Sequence, residues 1–144
     1  MGMVPTNGDS SASCGMSDFK RLRVWAKAHA LALNVDRVAG RIRGESYRSL
    51  RSQMVRSAMS IPANIVEGRT QKSERDFARF LGYAIGSTSE LEYHLIAARD
   101  VKAITESDFL SLLSQVIEVR KMLHGLINTL SAARSSTAHK TVPS

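Results

Sequence analysis

Glu90 and His94 stand four residues apart, and a carboxylate one turn from an imidazole is half of a metal site. Di-iron and di-manganese centres inside helical bundles demand more: inward glutamates plus a Glu-x-x-His pair on two helices. The residue three before His94 is Leu91, and those three before His29 and His124 are Ala26 and Lys121. That spacing excludes the centre, so neither a metal nor another cofactor is expected. Arg120 and His124 share a helix face in the manner of some helical RNA-cleaving domains. Their gap is shorter than such a pattern requires, which leaves a ribonuclease only as a distant alternative. The single cysteine, Cys14, lies in a Ser/Gly-rich stretch, no serine has a nucleophile-elbow context, and no Gly-rich phosphate loop is present. No catalytic residue is assigned, and the chain reads as a non-enzyme.

Charge is the chemistry that remains. The net charge is +7, and it is unevenly spread. Between Lys20 and Arg56 there are ten basic residues and two acids, Asp36 and Glu45, whereas from Ser57 onward ten basic residues face nine acids. Such asymmetry points to an anionic partner. Lys20, Arg23, Lys27, Arg37 and Arg41 recur at helical spacing, and Arg43, Arg48, Arg51 and Arg56 continue the run. These nine are the candidate nucleic-acid contacts; they would grip phosphates and carry affinity without sequence specificity. Trp25, Tyr47, Tyr83 and Tyr93 are too dispersed to form a base-stacking platform and are expected in packing.

The elements that must position these residues are helices. Residues 1–17 mix small and polar types without a period and read as a disordered tail. The bundle is expected over 18–131, and a second disordered tail over 132–144. A first helix from Asp18 to Arg43 has its seam at Trp25, Ala28, Ala32, Val35, Ala39 and Ile42, with the basic stripe about 140° away at 100° per residue. Gly40, Gly44 and Ser46 mark a turn before a second helix, Tyr47 to Gly68. Ser73 with Asp76, and Thr105 with Asp108, resemble capping boxes that open the third and fourth helices. Phe77, Leu81, Ala84, Thr88, Leu91, Leu95 and Ala98 form the third seam; Phe109, Leu112, Val116, Val119, Leu123, Ile127 and Leu130 form the fourth. Four amphipathic segments on short connections predict an antiparallel up-down four-helix bundle, all-α. No run is long and apolar enough for a membrane span, no secretory signal opens the chain, and one cysteine allows no intrachain disulfide. A cytoplasmic location is expected.

The most distinctive stretch is Ser57 to Gly68, SAMSIPANIVEG. Pro62 interrupts the helical pattern without breaking it, so a bend is expected there, with Ser60 or Asn64 satisfying the carbonyl the proline frees. Asn64 and Glu67 are expected to fix the packing beside the bend, and Gly68 to stop the helix in a left-handed conformation. Gly82, Ala84, Gly86 and Ser87 would let a neighbouring helix approach closely, and Ser87, Ser89 and Glu90 would hydrogen-bond across to the second helix.

Phe19 with Val24-Trp25, the run Glu45-x-Tyr47-x-x-Leu50-x-x-Gln53, the string SIPANIVEG, Ser73 with Phe77 and Phe80-Leu81, and Ala84-Ile85-Gly86-Ser87 before Glu90-Leu91-Glu92 together resemble one family. It is the four-helix-bundle proteins associated with intervening sequences in 23S rRNA genes, relatives of the accessory variability determinant of diversity-generating retroelements. The resemblance covers about Asp18 to Leu130 and departs from the family pattern at Tyr93, where a threonine is usual. It implies no enzymatic activity, a cytosolic bundle, and a cyclic homo-oligomer, commonly a pentamer. It also implies nucleic-acid binding, or a protein partner such as a polymerase or reverse transcriptase, in keeping with the cationic half of the chain. The motif residues Pro62, Asn64, Glu67, Gly68, Gly86, Ser87 and Glu90 are then structural rather than catalytic.

Overall fold

Apolar residues repeating at three-four spacing must bury one face of each helix, and the four faces close on one another. The computed structural model describes residues 22–141, with side chains through residue 135. Within it α1 spans Arg23–Gly40, α2 Arg48–Arg69, α3 Glu74–Asp100 and α4 Glu106–Thr141, with a short 3-10 turn, Glu45–Tyr47, before α2. No strand occurs among the described residues, and no helix is long and apolar enough to cross a membrane. α1 packs on α2, α2 on α3, α3 on α4, and α4 back on α1. Cross-helix bonds fix the directions. Lys27 meets Glu118, Asn34 meets Gln115 and Arg41 meets Asp108, a descending order that makes α1 and α4 antiparallel. Ser60 meets Ser87 while Gly68 touches Phe77 and Phe80, so α2 and α3 are antiparallel too. The chain is a four-helix bundle.

The expected seams form the core. All seven residues of the α3 seam are buried, and so are Ala28, Ala32, Val35, Ala39 and Ile42 of α1. Val24, Leu31 and Val38 widen the α1 seam, because a helix in a bundle buries a broader stripe than a coiled-coil edge. Trp25 is half-buried and stacks on His29 with ring centroids 5.1 Å apart.

Both predicted caps form. Ser73 Oγ accepts from the Asp76 amide at 3.0 Å, and Thr105 Oγ1 accepts from the Asp108 amide at 3.0 Å. The start of α1 differs from the expectation at Asp18: Leu22 is extended, and the helix opens at Arg23 without a side-chain cap. The tail assigned to 1–17 lies outside the described residues. At the other end, α4 stays helical past Ser131 to Thr141, although Ser131, Ala132, Ala133, Arg134 and Ser135 are all exposed.

Two expectations around SIPANIVEG need correction. Gly68 is not left-handed; α2 runs through it to Arg69, and only Gly44 among the described glycines has positive φ, 106°. Gly68 is buried for another reason. A Cβ there would lie 2.8 Å from the Phe80 Cβ and 3.0 Å from the Phe77 Cδ1, so its missing side chain lets α3 come close. By contrast, a Cβ at Gly82 or Gly86 would meet nothing within 4 Å, so neither glycine serves packing among the described residues. α2 is continuous across the buried Pro62. Ser60 Oγ donates to the Ser57 carbonyl at 2.9 Å and Asn64 Nδ2 to the Ser60 carbonyl at 2.8 Å, rather than to the carbonyl of Ala58 that the proline frees.

Candidate nucleic-acid interface

Ten cations cannot share one half of a small bundle without either pairing or facing water. The structure sorts the predicted contacts by that choice. Lys27 Nζ lies 3.4 Å from Glu118 and Arg41 Nη2 2.8 Å from Asp108, both across the α1–α4 seam. Arg48 Nη1 lies 3.2 Å from Glu45, three residues back. Exposed pairs of this kind add little stability, but their charge is compensated locally. Arg51 is structural, because its Nη1 donates to the Ile42 carbonyl at 3.1 Å and the Gly44 carbonyl at 2.9 Å, tying α2 to the turn that precedes it. Such bonds from a charged donor are roughly twice as strong as neutral ones. Lys20 lies outside the described residues.

Arg23, Arg37, Arg43 and Arg56 remain. All four are exposed and none forms an ion pair with another described residue; among these Arg37 reaches only the neutral Asn34 Oδ1. The cationic face is therefore narrower than the nine-residue run, and it is carried by arginines on α1, the α1–α2 turn and α2. Beside it an open groove of about 310 Å³ lies between α1 and α2, with Ala39, Gly40 and Val55 as its apolar part and Asp36, Arg48 and Arg51 as its polar part. The exposed Leu33 and Met59 flank this pair of helices.

The residues first considered for catalysis are held elsewhere. Arg120 bridges α4 to α3: its Nε donates to the Oγ1 of fully buried Thr88 at 3.0 Å, and its Nη2 pairs with Glu92. His124, one turn on, is exposed. His94 Nε2 is 3.6 Å from Glu90 Oε2 on the same helix, so Glu90 does not reach α2. Ser87 does, sharing a 2.6 Å bond with Ser60, while Ser89 is exposed. Glu67 is exposed, and only its backbone carbonyl is engaged, by Thr70 and Gln71. Among the described residues no three His, Cys, Asp or Glu side chains gather as a metal site would require. On α3, Arg79 donates to Tyr83 Oη at 3.0 Å, and that bond, helped by Asp76, holds its guanidinium above the ordinary arginine range.

Sequence reasoning missed the Thr88–Arg120–Glu92 clamp. Its signal was present: a threonine in the middle of an apolar seam, with a glutamate four residues later on the same helix.

No curated protein matches the chain. Among solved structures it is similar to a protein with unknown function from the S23 ribosomal protein family of Bacteroides thetaiotaomicron. The two are 28% identical, with a TM-score of 0.68, over 72% of this chain and 97% of that one. The model of the 23S rRNA-intervening sequence protein family matches residues 20–125, the span that builds all but the end of the bundle. The chain belongs to the 23S rRNA-intervening sequence protein family.

Proposed function

We propose that this protein is a non-enzymatic, cytoplasmic nucleic-acid-associated bundle that binds RNA or an RNA–protein complex through the basic face of α1 and α2. The observation that carries the reading is the set of exposed arginines without a carboxylate partner among the described residues, Arg37, Arg43 and Arg56, with Arg23 nearer the start of α1. Uncompensated guanidinium groups suit phosphates, which they can bind with two parallel hydrogen bonds. Assembly as a cyclic homo-oligomer, most simply a pentamer, would repeat the face around an axis and let weak phosphate contacts add. A bend of α2 at Pro62 would set the angle at which each copy presents that face.

The test is RNA binding by an Arg43→Glu/Arg56→Glu variant, which leaves the structural Arg51 in place. Titration of a labelled structured RNA at low and high salt reads affinity, and light scattering reads mass with and without RNA. Affinity should drop at least about tenfold at low salt, and the slope of log K against log salt should flatten by about two. An unchanged slope would refute the assignment of these residues.

A further inference from the structure

The groove between α1 and α2 is not explained by phosphate binding. Leu33, Asp36 and Gly40 follow i, i+3, i+7 on α1, and Ser52, Val55 and Met59 do so on α2, so each row lies on one helix face. Asp36 and Gly40 line the groove with Val55; Leu33 and Met59 lie beyond its lining, on the same faces of the two antiparallel helices and farther from the turn. Leu33 is 47% exposed and Met59 37%. Arg37 follows Leu33 by one turn, and Arg56 precedes Met59 by three residues, so an unpaired arginine flanks the apolar track on either helix. At Gly40 an added Cβ would meet nothing within 4 Å, and the backbone is not left-handed. Glycine in the last turn of α1 therefore does nothing for the bundle itself, but it keeps the groove open.

We propose that this groove seats an amphipathic α-helix of a protein partner, with aliphatic side chains on Leu33, Val55 and Met59 and carboxylates against Arg37, Arg48 and Arg56. Two antiparallel helices with an apolar track between them form the standard seat for such a helix, read by anchors at i, i+3 or i+4 and i+7. The charge of the rim selects the class of partner. Among the described residues Arg37 and Arg56 lack acidic partners, and the Arg48–Glu45 pair is exposed enough to exchange, with side chains 77% and 80% accessible. RNA fits the rim but not the track: no aromatic ring lines the groove for a base to stack on, and a phosphodiester gains nothing from covering Leu33 and Met59. A second copy meeting this groove face to face would bring arginine to arginine at the rim. The inference rests on the basic-face reading, since both use the same arginines, but it adds a protein ligand and a separate set of contacts.

The experiment uses a fluorescein-labelled designed peptide of about 14 residues, helical, with Leu at i, i+3 and i+7 and Glu on both flanks. A scrambled peptide of identical composition controls for charge. Anisotropy titrations are run on the full chain and on Gly40→Leu, which fills the groove without a clash in the bundle; Leu33→Gln/Met59→Gln is the second variant. The expected result is saturable binding of the amphipathic peptide at least about tenfold tighter than the scramble. That binding should be lost in both variants, while the melting temperature falls in neither and hairpin-RNA affinity stays at the parental value. Equal binding of the two peptides, no binding, or retained binding in Gly40→Leu would overturn the proposal while leaving RNA binding intact as a separate result. RNA affinity lost in Gly40→Leu would give the groove to RNA instead, and self-association abolished by Gly40→Leu would give it to a second copy. Loss of RNA binding in Arg43→Glu/Arg56→Glu tests the basic-face reading independently of any of these outcomes.

Discussion

A glycine can be a turn, a close contact or a vacancy, and this chain uses all three. Gly44 is the turn, with its positive φ ahead of α2. Gly68 is the close contact, with the Phe80 Cβ where its own Cβ would stand. Gly82 and Gly86 face open space on α3. Opposite outcomes follow from one substitution. Gly68→Ala should destabilise the bundle by about 1–3 kcal/mol, because neither backbone nor ring can yield freely. Gly86→Ala should stabilise it by about 0.5–1 kcal/mol through helix propensity. Urea denaturation of the two variants checks both, and a stabilising Gly68→Ala would contradict the close packing of α2 on α3. Sequence marked Gly68 as special but for the wrong reason, since a helix-stop glycine and a helix-crossing glycine look the same until the neighbouring helix is in place.

At the scale of the helix, periodicity was the readable signal. The whole α3 seam from Phe77 to Ala98 could be read because a 3.6-residue repeat survives burial unchanged. Ends were harder. The caps at Ser73 and Thr105 are local and were legible; the opening of α1 at Arg23 has no side-chain cap to announce it. Side chains that act across helices were also hidden. Arg51 looks like one more member of a basic run, yet it ties down the carbonyls of Ile42 and Gly44. Arg51→Ala should therefore cost about 1.5–3 kcal/mol of stability, whereas Arg43→Ala should leave the melting temperature unchanged. Arg120 carries the same lesson on the other side of the bundle. Arg120→Ala would leave Glu92 without its partner beside the core and should lower stability by about 2–3 kcal/mol, while His124→Ala should change neither stability nor RNA integrity. RNA cleavage that disappears in His124→Ala would revive the ribonuclease alternative.

For the molecule as a whole, net charge proved a poor guide to where an anion would sit. Lys27 and Arg41 are answered by Glu118 and Asp108 of α4, residues more than sixty positions away that no local count could pair with them. What survives is a narrower face beside an apolar groove. Raising salt should release RNA steeply, because phosphate contacts exchange counterions, yet leave the fold intact, because the core is apolar and the ion pairs are exposed. Circular dichroism and RNA titration across the same salt series would check this; unfolding in step with release would mean that the pairs hold the bundle together.

α4 outlasts its neighbours. It has 36 residues against 18 in α1, and beyond Leu130 its side chains through Ser135 have no buried position. A lone polar helix as short as the stretch past Leu130 is marginal in water, since most helical stability comes from a packed face. Amide hydrogen exchange followed along this one helix should therefore show a step, with slow amides around Val116 to Leu123 and fast ones after Ser131. In kinetic terms, α4 is a single rod with two lifetimes, and the boundary between them marks where the company of the other three helices ends.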